Sequence, residues 1–160
     1  MKKILLILFL IPNLTYALPV SLDEYMYKHS TWSSSDKVSL SYIESRCGIL
    51  LEVISEHYKN VVDAQEIYNM SLMNSKIFSR ASSDIYKTRC INFDCIKIEK
   101  KASHVREKEW ALIYGKEAES NFENYGEIIH GDIKSDFSTC MTKVKPIIRW
   151  KILKYMSTNI

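Results

Sequence analysis

The stretch that decides the fold is LSYIESRCGILLEVISEHY, residues 40–58. Leu40, Ile43, Cys47, Leu50, Ile54 and His57 recur at alternating spacings of three and four. That is the period of an amphipathic helix with one apolar seam. A thiol lies in the middle of the seam. A matching series occurs near the other end of the chain: Ile133, Phe137, Cys140 and Val144. Two helices whose seams each carry a cysteine can be joined face to face. Gly48 follows Cys47 directly, and a glycine inside a helix costs about 1 kcal/mol relative to alanine. Close approach of another backbone and simple tolerance of one poor residue both account for it.

Outward from that helix, Pro19, Leu22, Tyr25, Met26 and His29 predict a short helix before it. Trp32 and Ser33 to Asp36 then supply a hydrophobic lid and hydrogen-bond acceptors for a helix starting near Asp36. After a turn at Asn60 to Asp63, a second long helix is expected over 64–87. Its apolar face is Ile67, Met70, Met73 or Asn74, Ile77, Ala81 and Ile85, with Phe78 beside it, and serines interrupt the stripe. Met70, Leu72 and Met73 suit a core, or alternatively an adaptable binding surface. A third helix is expected over 103–125, its seam formed by Ala111, Gly115, Ala118, Phe122 and Tyr125, with Val105 and Leu112 to one side and Trp110 flanking. Alternating charges from Arg106 to Glu119 give it a solvated outer face. Gly126 ends or bends that helix. The fourth element carries Cys140, and Pro146 is expected to break or kink it, because proline lacks an N–H and crowds the preceding turn. Beyond it, residues 147–160 form a last short helix.

The first residues have the layout of a secretory signal: Lys2 and Lys3, the apolar run Ile4 to Ile11, then Thr15-Tyr16-Ala17. The run is shorter than the roughly 20 apolar residues of a membrane span. An uncleaved anchor is the alternative. Residues 1–17 are therefore expected to be removed, leaving 18–160 as a single helical domain with no transmembrane helix. The chain has 22 basic and 19 acidic residues; without the two lysines of the leader the balance is 20 to 19, a net charge of +1. So small a charge supplies no field to gather nucleic acid, and export argues against it as well. Gly and Pro are scarce, four and three, which disfavours a turn-rich sandwich or barrel.

Four cysteines at 47, 90, 95 and 140 allow three connectivities. The helical arrangement selects Cys47 with Cys140 and Cys90 with Cys95, the second pair closing a small loop between helices. The alternative is that some thiols stay reduced and buried. The expected fold is all-α: a disulfide-clamped antiparallel four-helix bundle with short extra helices at the termini.

Catalytic signatures are absent: no GxSxG elbow, no Gly-rich phosphate loop, no HExxH and no CxxC. No cofactor is expected, and the chain reads as non-enzymatic. Glu127 and His130 form a single ExxH, the spacing by which helical bundles hold metal. A di-iron bundle needs two such motifs and two further glutamates, so a surface Glu–His pair is the expectation and a metal-binding bundle the remote alternative. His57, on the apolar seam, is expected to be partly buried rather than a ligand or base.

The C-terminal segment is the most individual feature. Lys143, Lys145, Arg149, Lys151 and Lys154 are interleaved with Trp150 and aliphatic residues, with no acid among them. These residues are candidates for contact with a partner or an anionic membrane surface. Lysines snorkelling around the closing helix of a bundle give the same pattern.

With its leader, Cys47 in a first helix and Asp136 to Cys140 in a last one, the chain resembles uncharacterised small secreted helical proteins of bacteria, notably marine ones, and of their phages. The resemblance implies a disulfide-clamped helical bundle, secreted or periplasmic. It brings no activity and no catalytic residues. The resulting expectation is an exported binding protein of unknown partner, with action at a membrane surface as the alternative.

Overall fold

The computed structural model describes residues 20–29 and 37–148. The segments expected to be a leader, a Trp32 lid and a Ser33 to Asp36 cap fall outside them. So do Arg149, Trp150, Lys151 and Lys154 and most of the segment expected to form a final helix. Among the described residues the chain is all helical. A short α1 (Leu22–Lys28) precedes α2 (Lys37–Tyr58), α3 (Gln65–Arg89), α4 (Phe93–Tyr125) and α5 (Gly131–Thr139). The connections between α2, α3, α4 and α5 are short, which makes successive helices antiparallel neighbours.

The Cys47 helix is the centre of the bundle. Leu40, Ile43, Cys47, Leu50, Leu51 and Ile54 are buried, but so are Ser41, Ser45, Arg46, Gly48 and Ser55 on the other sides. A helix buried almost all round must be surrounded, and α3, α4 and α5 all pack on it. Its seam ends one step earlier than the spacing implies: His57 is exposed, set edge-on to the rings of Tyr58 and Phe122.

The serines of α3 form its interface. Ser71, Ser75 and Ser82 are buried with Asn74, Phe78 and Ile85, a three-and-four spacing that lays small residues against α2. Ser82 Oγ donates to the Ser41 carbonyl at 3.1 Å and lies 3.2 Å from Ser41 Oγ. At Gly48, a Cβ would come within 2.9 Å of Ser79 Oγ and 3.4 Å of its backbone nitrogen. Close helix approach therefore accounts for that glycine. The consequence is a corrected face: Met73 is 56% exposed, while Met70, Ile67 and Ile77 are only half-buried.

Two disulfides are present, Cys47–Cys140 and Cys90–Cys95, and no described cysteine is free. Such bridges belong to an oxidising compartment. Cys47 and Cys140 are both fully buried in one core cluster with Leu50, Phe78, Trp110, Tyr114, Ile133 and Val144. The second bridge is less of a loop than its spacing suggests. Asn92 caps α4 by accepting the Cys95 N–H at 2.9 Å, so Cys95 sits in the first turn. α4 thereby starts ten residues before the expected Ser103.

The ends of α4 and α5 show how local chemistry sets the path. Gly126 adopts φ +73° and its N–H donates to the Phe122 carbonyl, closing α4. Asn121 then donates to the carbonyls of Ile128 and His130, holding the connection. Pro146 does not break the last element. Cys140–Val144 widens into a π-helical turn, in which the Lys145 N–H donates to the Cys140 carbonyl, and residues 145–148 continue as α-helix. In a regular helix the proline ring would collide with the carbonyl four residues back; the wider turn relieves that contact. Cys140, Val144 and Ile148, each four apart, all reach the core this way.

Candidate functional site

Two features stand out beyond the apolar core: a buried ionic centre and the outward face of α4. The centre begins at Arg46, one residue before the bridging Cys47, with 1% of its side chain exposed; Asp136 opposite has none exposed. The Arg46 Nη2 donates to Asp136 Oδ2 at 2.5 Å, its Nη1 to the Val20 carbonyl at 2.8 Å, and its Nε to the Tyr114 hydroxyl at 2.7 Å. Tyr114 in turn donates to Asp136 Oδ2 at 2.6 Å, and the Leu22 N–H to Asp136 Oδ1 at 2.8 Å. Trp110 stacks on the guanidinium at 4.1 Å from its ring centre, within cation–π range.

The electrostatics result from burial. Removal from water pushes the Tyr114 phenol well above its ordinary value; the Asp136 carboxylate adds to this, and the Arg46 charge opposes it. Burial works against the Arg46 charge, but Tyr114 and Asp136 outweigh it and its pKa is raised. The cluster is therefore a neutral phenol bridging a fixed ion pair. Every partner named belongs to the scaffold: α2 supplies Arg46, α4 supplies Trp110 and Tyr114, α5 supplies Asp136, and the start of α1 is tied down through Val20 and Leu22. Lys143 pairs with Asp23 and tethers α1 from the other side. The centre closes the fold: each hydrogen bond named ties one helix to another or to the start of α1.

The Glu127–His130 pair is as expected from its spacing, with Nδ1 and Oε1 3.6 Å apart. His130 also stacks on Tyr125 with ring centres 3.8 Å apart. Among the described residues no group of three potential metal ligands converges. Asp136, two turns on, is the buried partner of Arg46. Of the C-terminal candidates, Lys143 is occupied with Asp23 and Lys145 is half-buried. Among the described residues no helix is long and apolar enough to cross a membrane.

α4 departs most from expectation. Of the expected seam, Ala118 alone is buried; Ala111, Phe122 and Tyr125 are exposed and Gly115 is half-buried. The buried line is Ser103, Trp110, Tyr114, Ala118 and Asn121. On a helix of about 3.6 residues per turn, Ile98, Val105 and Leu112 form a second line roughly opposite to it. They are 69%, 51% and 53% exposed. At the end of the bundle, an open groove of about 620 Å³ lies between α3 and α4 with Lys87, Ile96, Lys97, Lys100, Lys101 and His104 among its lining. Lys97, Lys100 and Lys101 of α4 supply most of its positive rim, and Lys87 of α3, which pairs with Asp84, adds to it.

No protein-family model matches the chain, and no significant match exists among curated proteins or solved structures.

Proposed function

We propose that the protein is an exported, non-enzymatic interaction protein that offers the outward face of α4 to a protein partner. The carrying observation is the second apolar line on that helix, Ile98, Val105 and Leu112, set on the face away from the core. A helix needs one apolar stripe to join a bundle; a second stripe of branched aliphatic residues on the opposite side is what a docking face requires. The rest of the molecule supports a rigid platform behind it. α4 is held at one end by Cys90–Cys95, in the middle by Trp110 and Tyr114 over Arg46, and at the other end by Asn121.

Affinity capture from the native envelope or medium tests this, using the full mature chain and a variant carrying Ile98→Glu, Val105→Glu and Leu112→Glu. The expected result is a partner retained by the parent and lost by the variant. Equal recovery by both, or no specific protein with either, refutes it. Liposome co-sedimentation with and without residues 147–160 separates this from action at a membrane. Liposome binding abolished by the truncation would favour the basic C-terminal segment instead.

A further inference from the structure

From that same face we infer that the occupant is a second copy of this chain, joined through antiparallel α4 helices; the inference rests on the docking role just proposed. The distribution of charge along α4 points to it. Residues 93–108 of α4 hold five basic and three acidic side chains; residues 109–125 hold one basic and four acidic. The two halves of α4 therefore carry opposite net charge. Such a helix is complementary in sign to an identical helix running the other way.

A twofold axis perpendicular to α4 near residue 108 lays Val105 of one copy across Leu112 of the other. The apolar lines then meet over the middle of the helix. Lys97 and Lys101 are exposed on one side of the apolar line, and Glu119 and Glu123 are exposed as well. The same operation carries Lys97 to a level between the other copy's Glu119 and Glu123, and Lys101 to within one turn of Glu119. A twofold interface must be complementary to itself; Lys97 and Lys101 against Glu119 and Glu123 make this one so in sign, with exposed Lys116, level with the other copy's Lys101, as a like-charged approach. A parallel pairing would set basic half against basic half. An acidic or basic partner of another kind would match one half of the helix and repel the other.

The apolar line is narrow, so the association is expected in the micromolar range rather than as an obligate dimer. Sedimentation equilibrium of the mature, oxidised chain over a wide concentration range is the test. A monomer–dimer equilibrium is expected, weakening as salt rises because the flanking pairs are exposed. Val105→Glu should weaken it at least about 100-fold, by setting a charge against Leu112 of the other copy at both of the twofold-related contacts. Val105 is half-exposed, so circular dichroism should show the variant folded. Charge reversal supplies the sharper arm. Lys97→Glu with Lys101→Glu, or Glu119→Lys with Glu123→Lys, should each weaken dimerisation. All four together should restore it.

A chain that is monomeric throughout overturns the inference. So does a dimer indifferent to Val105→Glu, or a four-fold reversal that restores nothing. A chain that dimerises only after removal of residues 149–160 places its own tail on the face. Liposome binding abolished by Val105→Glu places a membrane there; either result overturns the second copy as occupant. The capture experiment stays independent: a distinct partner lost with the α4 variant upholds the docking role even where self-association fails.

Discussion

Asp136→Asn is the sharpest perturbation of this fold. The substitution keeps the side chain's shape and replaces one carboxylate oxygen by an amide donor. At Oδ2 the native residue accepts from Arg46 and Tyr114, and at Oδ1 from the Leu22 N–H. In the variant one position has the wrong polarity, and the guanidinium stays buried with its counter-charge gone. Breaking a buried ion pair from one side costs about 3–5 kcal/mol. That is a large share of the roughly 5–15 kcal/mol that stabilises an ordinary domain. Removing both charges is different. Arg46→Met with Asp136→Leu abolishes the desolvation cost with the attraction, and should recover about 1–3 kcal/mol relative to the sum of the single changes. Urea unfolding of the oxidised chain, with unchanged slope, measures each corner of the cycle. A loss under about 1 kcal/mol for Asp136→Asn, or strict additivity in the double variant, would show that the ion pair does not hold the helices together.

Three other outcomes are expected. Replacing Cys47 and Cys140 by alanine should cost far more than replacing Cys90 and Cys95. The separations are 93 and 5 residues, for which chain entropy gives about 4.6 and about 2 kcal/mol; equal losses in paired denaturation curves would contradict this. Tyr114 titrates late, so its contribution to stability is complete below about pH 10, the unfolded phenol's value, and is lost as pH rises from there through the folded one. Tyr114→Phe should be less stable at neutral pH yet fall less steeply under alkali; parallel alkaline curves would rule this out. Gly48→Leu should be strongly destabilising, whereas Gly48→Ala should be better tolerated when Ser79→Ala removes the hydroxyl 2.9 Å away. Thermal melts of the single and double variants decide it.

The features legible in the chain and those hidden from it divide along physical lines. The central helix was legible because five of its six spaced residues, Leu40 through Ile54, are apolar and meet the core. The second helix misled because small hydroxyl side chains look solvated. Against Gly48 and Ser41 they are instead the means by which two backbones approach. Arg46 gave no signal at all. A charged residue beside a seam is ordinarily exposed, and its burial depends on Asp136, 90 residues further on. In α4 two apolar lines face opposite ways, so no single face dominates its period. The choice between lines is made by Trp110 and Tyr114, whose rings cover Arg46. The docking face became visible only by subtraction, once the core had claimed the other side.

The π turn before Pro146 also sets a phase. Each extra residue in a helix rotates the remainder of that helix by about 100°, and Cys140–Val144 accommodates such a residue without breaking the helix. Deleting Thr142 or Lys143 would tidy the turn into a plain α-helix. It would also swing Ile148 out of the core it shares with Cys140 and Val144. The local irregularity thus works as an angular setting: it lets side chains on both sides of a proline point to one core.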